Sequence, residues 1–154
     1  AHFISAEHGP QIVGIYREQF QPSEQWPEPQ INIGVFAVAA DSEEEAEQLM
    51  KCRDLASVRQ RTGRTGPVPT IEEAEAYEYT PQEEALRQYN RKRCIWGTAQ
   101  QVHDGLTAVA ASYDVDELVL LTICPTFEAR CRSYELLADA FGLTASDPRQ
   151  AAAS

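Results

Sequence analysis

The sequence predicts an α/β fold built on a parallel sheet, and three observations carry that expectation. Cys94 to Ile123 reads as one strand–helix–strand crossover. Within it, Leu118 to Ile123 is apolar without alternation, which suits a strand buried on both faces beneath helices. Along the rest of the chain, strand and helix patterns alternate, the order that gives parallel strands joined by right-handed crossovers.

The 154 residues are the size of one domain with a substantial core, and 43% apolar with 24% charged residues is ordinary for a globular protein. A formal net charge of −11 argues against nucleic acid or an anionic membrane surface as partner, since phosphate binding needs the opposite sign. No apolar run is long enough to span a bilayer, and no signal-peptide pattern opens the chain. Cys52, Cys94, Cys124 and Cys131 fall within expected strands or helices, with no Cys-x-x-Cys and no histidine at ligand spacing. They read as reduced thiols of a cytoplasmic protein, and no metal site is expected.

Taken in order, Pro10 opens a helix to Phe20 whose apolar face is Ile12, Val13, Ile15, Tyr16 and Phe20. Gln21 to Gln30 holds three prolines and is a connection. Ile31 to Ala40 is a strand. Ser42 with Glu45 forms a capping box, and Glu43, Glu44 and Glu45 suit the positive end of the helix that follows. Ala46, Leu49, Met50 and Ala56 are its buried side.

Ser57 to Thr70 loses periodicity and turns basic, with Arg59, Arg61 and Arg64 among glycines and prolines. It reads either as a surface excursion or as a lid that brings guanidinium groups to an anionic ligand. Ile71 to Tyr79 is acidic, with helix as one reading. Thr80, Pro81 and Glu83 make a strong start for a helix to about Asn90. Residues 57–91 thus form an insertion.

Cys94 to Trp96 is a strand ended by Gly97. Thr98 and Gln101 then cap a helix striped by Val102, Leu106, Val109, Ala110 and Tyr113. After Ile123, Pro125 and Thr126 open a last helix with Phe127, Cys131, Tyr134, Leu137 and Phe141 on one side, and Gly142 closes it. The domain covers 1–143, and residues 144–154 are a frayed tail. Three strands with faces as apolar as VFAVAA and LVLLTI need cover on both sides, and one layer of helices supplies only one. The chain is therefore expected to be incomplete as a structural unit.

The segments HF (His2-Phe3), YREQFQPS (Tyr16 to Ser23), VFAVAADSEEEAEQL (Val35 to Leu49), WGTAQQV (Trp96 to Val102), VDELVLLTI (Val115 to Ile123) and RCRSYELLADAFGL (Arg130 to Leu143) resemble, in collinear order, the C-terminal part of the luciferase-like flavin-dependent monooxygenases. That family is similar to bacterial luciferase and folds as a (β/α)8 TIM barrel. The resemblance implies that Ile31 to Ala40, Cys94 to Trp96 and Leu118 to Ile123 are strands six to eight, with Ala1 to Phe3 the end of strand five. A whole barrel takes at least ~200 residues, so the chain is expected to be a fragment of one.

The resemblance also implies FMN, or a deazaflavin in some branches, as the group that activates dioxygen or moves a hydride on a small organic substrate. Its phosphate grip would lie on earlier strands, so the chain alone is expected to bind no flavin and to be inactive. Where the family has Gly-Ser/Thr-Pro after strand seven, this chain has Gly97-Thr98-Ala99. Barrel sites sit at the C-terminal ends of strands, which marks His2 as the candidate for proton transfer and Trp96, Gly97 and Thr122 as flavin contacts. A terminal histidine without a role, and a tryptophan used for packing, are the competing readings. Arg59, Arg61 and Arg64 are the lid candidates. The expected partner is the missing N-terminal barrel portion or a second copy of the chain. The alternative function is a non-enzymatic, shortened relative that dimerises and binds flavin weakly or not at all.

Overall fold

The computed structural model describes residues 2–4, by backbone alone, and residues 7–143. The side chain of His2 and the expected tail 144–154 lie outside the described residues. The elements run β1 (His2–Ile4), α1 (Gly9–Gln19), β2 (Asn32–Ala40), α2 (Glu43–Arg61), α3 (Ile71–Ala76), α4 (Pro81–Arg91), β3 (Cys94–Thr98), α5 (Ala99–Tyr113), β4 (Leu118–Leu121) and α6 (Phe127–Ala140).

Helix starts follow the local chemistry. The hydroxyls of Ser42, Thr70, Thr80, Thr98 and Thr126 each accept the amide three residues on. At Thr70, Thr80 and Thr98 the third residue also reaches back to the cap, completing a capping box. At Ser42 the return bond moves one residue, with Glu45 accepting from the Asp41 amide at 3.2 Å. At the far end of α6, Gly142 takes φ +63°, and the Leu143 amide bonds to Ala138 at 2.8 Å, as an αL helix ending requires.

All four strands are parallel, and β2 is the hub. It pairs with β1 at His2↔Asn32 to Ile4↔Gly34, with β3 at Phe36↔Cys94 to Ala40↔Thr98, and with β4 at Ile33↔Leu118 to Phe36↔Leu121. The side chains of β2 alternate between two cores, as a strand buried on both faces must. Ile33, Val35, Ala37 and Ala39 pack with Val13 of α1, Val102, Leu106 and Tyr113 of α5, and Leu137 of α6. Val38 and Ala40 pack on the other side with Ala46, Leu49 and Met50 of α2, beside Cys94 and Cys124. Each fully buried Val or Leu contributes on the order of 1.5–3 kcal/mol.

This arrangement corrects the expectation of strands six to eight of a TIM barrel with a bare inner face. Barrel order would place the last strand beside β3, whereas β4 pairs with β2. The face of β2 expected to be uncovered is closed by α2. The described residues fold as an α/β domain of four parallel strands and six helices, helices lying on both sides of β2.

Three smaller corrections follow from packing. β4 is shorter than expected and only half covered. Leu118 and Leu120 point into the core, while Val119 and Leu121 are 45% and 42% exposed. The second helix continues through Arg61 because Val58 is buried in it and the Thr62 hydroxyl donates to the Val58 carbonyl at 2.8 Å. The basic stretch therefore begins on helix, and only its second half is loop. In α6 the buried residues are Ser133 and Leu137, while Phe127, Tyr134 and Phe141 face out. The buried stripe is rotated because it carries a serine, whose oxygen accepts the Ala39 amide at 2.9 Å.

Candidate functional site

At the C-terminal ends of β2 and β3 the candidates are already engaged. Asp41, just past β2, accepts two bonds from Arg132, at 2.9 Å from Nε and 2.6 Å from Nη2. That bidentate contact holds the Asp41 carboxyl below its usual range. Gly97 sits at φ +145°, which a side chain rarely adopts, and a Cβ there would meet the Gln101 side chain. Gln101 Oε1 accepts the Thr98 amide at 2.8 Å and its Nε2 donates to Glu43 at 2.6 Å. Trp96 carries the Arg91 guanidinium over its ring, 4.6 Å from the centroid. The hollow beside Trp96 and Gly97 is lined by Glu43, Glu47 and Gln101. Thr122 is buried, and its hydroxyl donates to the Ala37 carbonyl at 2.9 Å. It ties the chain after β4 to β2.

Behind Trp96, α2 and α4 are joined by a buried ionic cluster. Asp54 is fully buried and its Oδ2 accepts from Arg91 Nη1 at 3.1 Å and from Arg87 Nη1 at 3.5 Å, while Oδ1 has no hydrogen-bond partner among the described residues. Arg91 also binds Glu47. Burial pushes the Asp54 carboxyl up to about 6, against the pull of Arg91, Arg87 and Arg53. Cys94 and Cys124 are pushed up to about 11 by burial, which keeps both as neutral thiols at pH 7.

A second cavity, of about 300 Å3, lies between the C-terminal half of α2, the loop 65–68 and the residues that lead into β3. Its polar lining includes Arg53, Arg59, Arg61, Asn90 and Arg93, and its apolar wall includes Phe36, Val68 and Ile123. Arg53 lies over the Phe36 ring, 5.0 Å from the centroid, and its Nη1 donates to the Asn90 carbonyl at 3.4 Å. Among the described residues, Arg53 Nε and Asn90 Nδ2 are buried without a partner, each at a cost of about 1–3 kcal/mol.

Of the lid candidates, the fold brings Arg59 and Arg61 to this cavity and turns Arg64 away. Arg64 donates to Tyr77 at 3.1 Å and also binds Glu83. Trp96 and Gly97 share a hollow that excludes Thr122. The sequence reading missed Arg53, Asn90 and Arg93. A signal existed for Arg53: it stands on the buried stripe of α2, three residues after Met50, where an apolar residue is the rule.

Three relatives bear on the family. The uncharacterized protein YceB of Bacillus subtilis (strain 168) is 38% identical over 140 residues, 91% of this chain and 42% of that protein. A luciferase-like monooxygenase of Escherichia coli (strain K12) is 29% identical over 130 residues, 84% of this chain and 38% of that protein. The chain is similar to luciferase-like monooxygenases. Its fold matches the solved structure of apo-MsnO8 with a TM-score of 0.77 and 24% identity, over 93% of this chain and 45% of that one. No protein-family model matches. The chain thus spans less than half the length of these relatives.

The luciferase-like resemblance implies FMN, and the residues assigned to it do not fit that group. The Trp96 face is occupied by Arg91, the Thr122 hydroxyl is spent on Ala37, and two carboxylates beside Gly97 repel a phosphate. Among the described residues no helix is long and apolar enough to cross a membrane.

Proposed function

We propose that this chain is part of a flavin-dependent oxidoreductase of the luciferase-like monooxygenase kind, acting on a small organic substrate with dioxygen. The observation that carries the reading is the 29% identity to the Escherichia coli luciferase-like monooxygenase, extended over 84% of the chain. Reduced FMN carries the oxygen chemistry in such enzymes. The role of the chain's own residues is to hold a scaffold. Arg132 clamps Asp41, Thr98 and Gln101 fix the start of α5, and Thr122 holds the end of β4 to β2. The flavin grip comes from further polypeptide, either more of the same protein or a second copy.

The test is a visible absorbance scan and a titration with FMN. It is run on the chain alone and again with the complementary portion of a relative such as YceB supplied in trans. The expected result is no stoichiometric flavin on the chain alone and stoichiometric FMN binding by the reconstituted pair. Tight FMN binding by the isolated chain would overturn the need for further polypeptide. No flavin binding in either state would overturn the enzymatic reading in favour of a non-enzymatic relative.

A further inference from the structure

The cavity lined by Arg53 differs in charge from the rest of this acidic chain. With a formal net charge of −11, most cations here stand among an excess of carboxylates. Yet four guanidinium groups, from Arg53, Arg59, Arg61 and Arg93, line this cavity, and no carboxylate does. Among the described residues Arg59 has one loose ion pair, to Glu73 at 3.8 Å, and the other three have none. Arg53 is 5% exposed and Asn90 4%, and each has a buried donor without a partner. Arg53 feels the charge of Asp54 but makes no close ion pair with it, and a desolvated guanidinium with an unpaired donor is unfavourable, a penalty that an incoming anion in contact with it reduces.

We propose that this cavity binds a phosphate group, as the free ion or as the head of a small phosphate ester. The number of cations selects a dianion over a single carboxylate, and guanidinium forks match tetrahedral oxyanions through paired bonds. Arg53 is set in advance by the Phe36 ring and the Asn90 carbonyl, so little side-chain freedom is lost on binding. Phe36, Val68 and Ile123 give the organic part of an ester an apolar wall. A volume of about 300 Å3 is at the lower end for small-molecule sites, which span roughly 300–1,000 Å3. Arg64, bound to Tyr77 and Glu83, fastens the loop at the rim to α4. None of this rests on the flavin reading, and the probes contain no flavin.

Calorimetric titration with inorganic phosphate and with phenyl phosphate, at constant ionic strength and with chloride as control, tests the site. Saturable binding with a Kd below about 1 mM is expected. Arg61→Gln and Arg93→Gln remove cations that make no ion pair among the described residues, so both variants are expected to melt like the parent. Each is expected to weaken binding about tenfold, the effect of losing one charge-assisted contact. Tighter binding of phenyl phosphate identifies an ester site, and equal affinity identifies free phosphate. The proposal is overturned if no saturation occurs below about 10 mM, or if both variants bind as the parent does.

Discussion

Ser133 Oγ accepts the amide of Ala39 at 2.9 Å, and both residues are buried. A residue of the motif Arg132-Ser133-Tyr134 thereby satisfies a backbone donor near the end of the central strand, beyond Phe36, where the pairing with β4 stops. Ser133→Ala removes the acceptor and leaves the amide desolvated. The expected loss is about 1–3 kcal/mol in urea unfolding. Faster hydrogen exchange at Ala39 should accompany it. Unchanged exchange at that amide would mean the hydroxyl is not its partner.

Asp54 should give the stability curve an unusual slope. Its carboxyl is raised by burial from 3.8 to about 6, so the folded state holds its proton over a window in which the unfolded chain has lost it. Stability from this group is present below about pH 4 and is lost as pH rises through about 6. The surrounding groups are Arg53, Arg87, Arg91, Glu47 and Tyr79. Glu83 and Glu84, both held near 2 by hydrogen bonds, act oppositely and lose stability on acidification below about pH 4.5. Between pH 4.5 and 6.5 unfolding free energy should therefore fall by at most about 3 kcal/mol. Asp54→Asn should flatten that segment. A variant with the parent's slope would show that Asp54 ionises normally.

The two faces of β4 should respond oppositely to charge. Leu120 packs into the core and lies in register with buried Val35, so Leu120→Asp should prevent folding or cost several kcal/mol. Val119 is 45% exposed on the same strand, and Val119→Asp should cost less than about 1 kcal/mol. Equal melting temperatures for the two variants would contradict the observed register.

Gly97 is expected to tolerate no side chain. At φ +145° with the Gln101 side chain above it, Gly97→Ala should cost on the order of 1–3 kcal/mol and disturb the cap of α5. Circular dichroism and thermal melting read this directly. A variant as stable as the parent would show that Gln101 moves aside freely.

Much of the fold was legible because its signals are local. The starts of α2, α4, α5 and α6 depend on residues three apart in sequence, whereas the apolar run Leu118 to Ile123, read as buried on both faces, leaves Val119 and Leu121 exposed. The strand-end candidates were legible only as positions. Trp96 and Thr122 lie near where they were expected, but Arg91, at the end of the preceding helix, and Ala37, far away in sequence, occupy the groups that would have met a ligand.

The sequence by itself determined an α/β chain of helices and parallel strands, with a family likeness in collinear segments. Only tertiary structure decided that β4 sits beside β2, that α2 closes the face expected to be bare, and that four arginines from α2 and the approach to β3 share one cavity. Capping and periodicity are settled by neighbours a few residues away. Strand neighbours, helix coverage and the meeting of Arg53 with Arg93 are settled by competition among segments tens of residues apart, and no local pattern encodes that outcome.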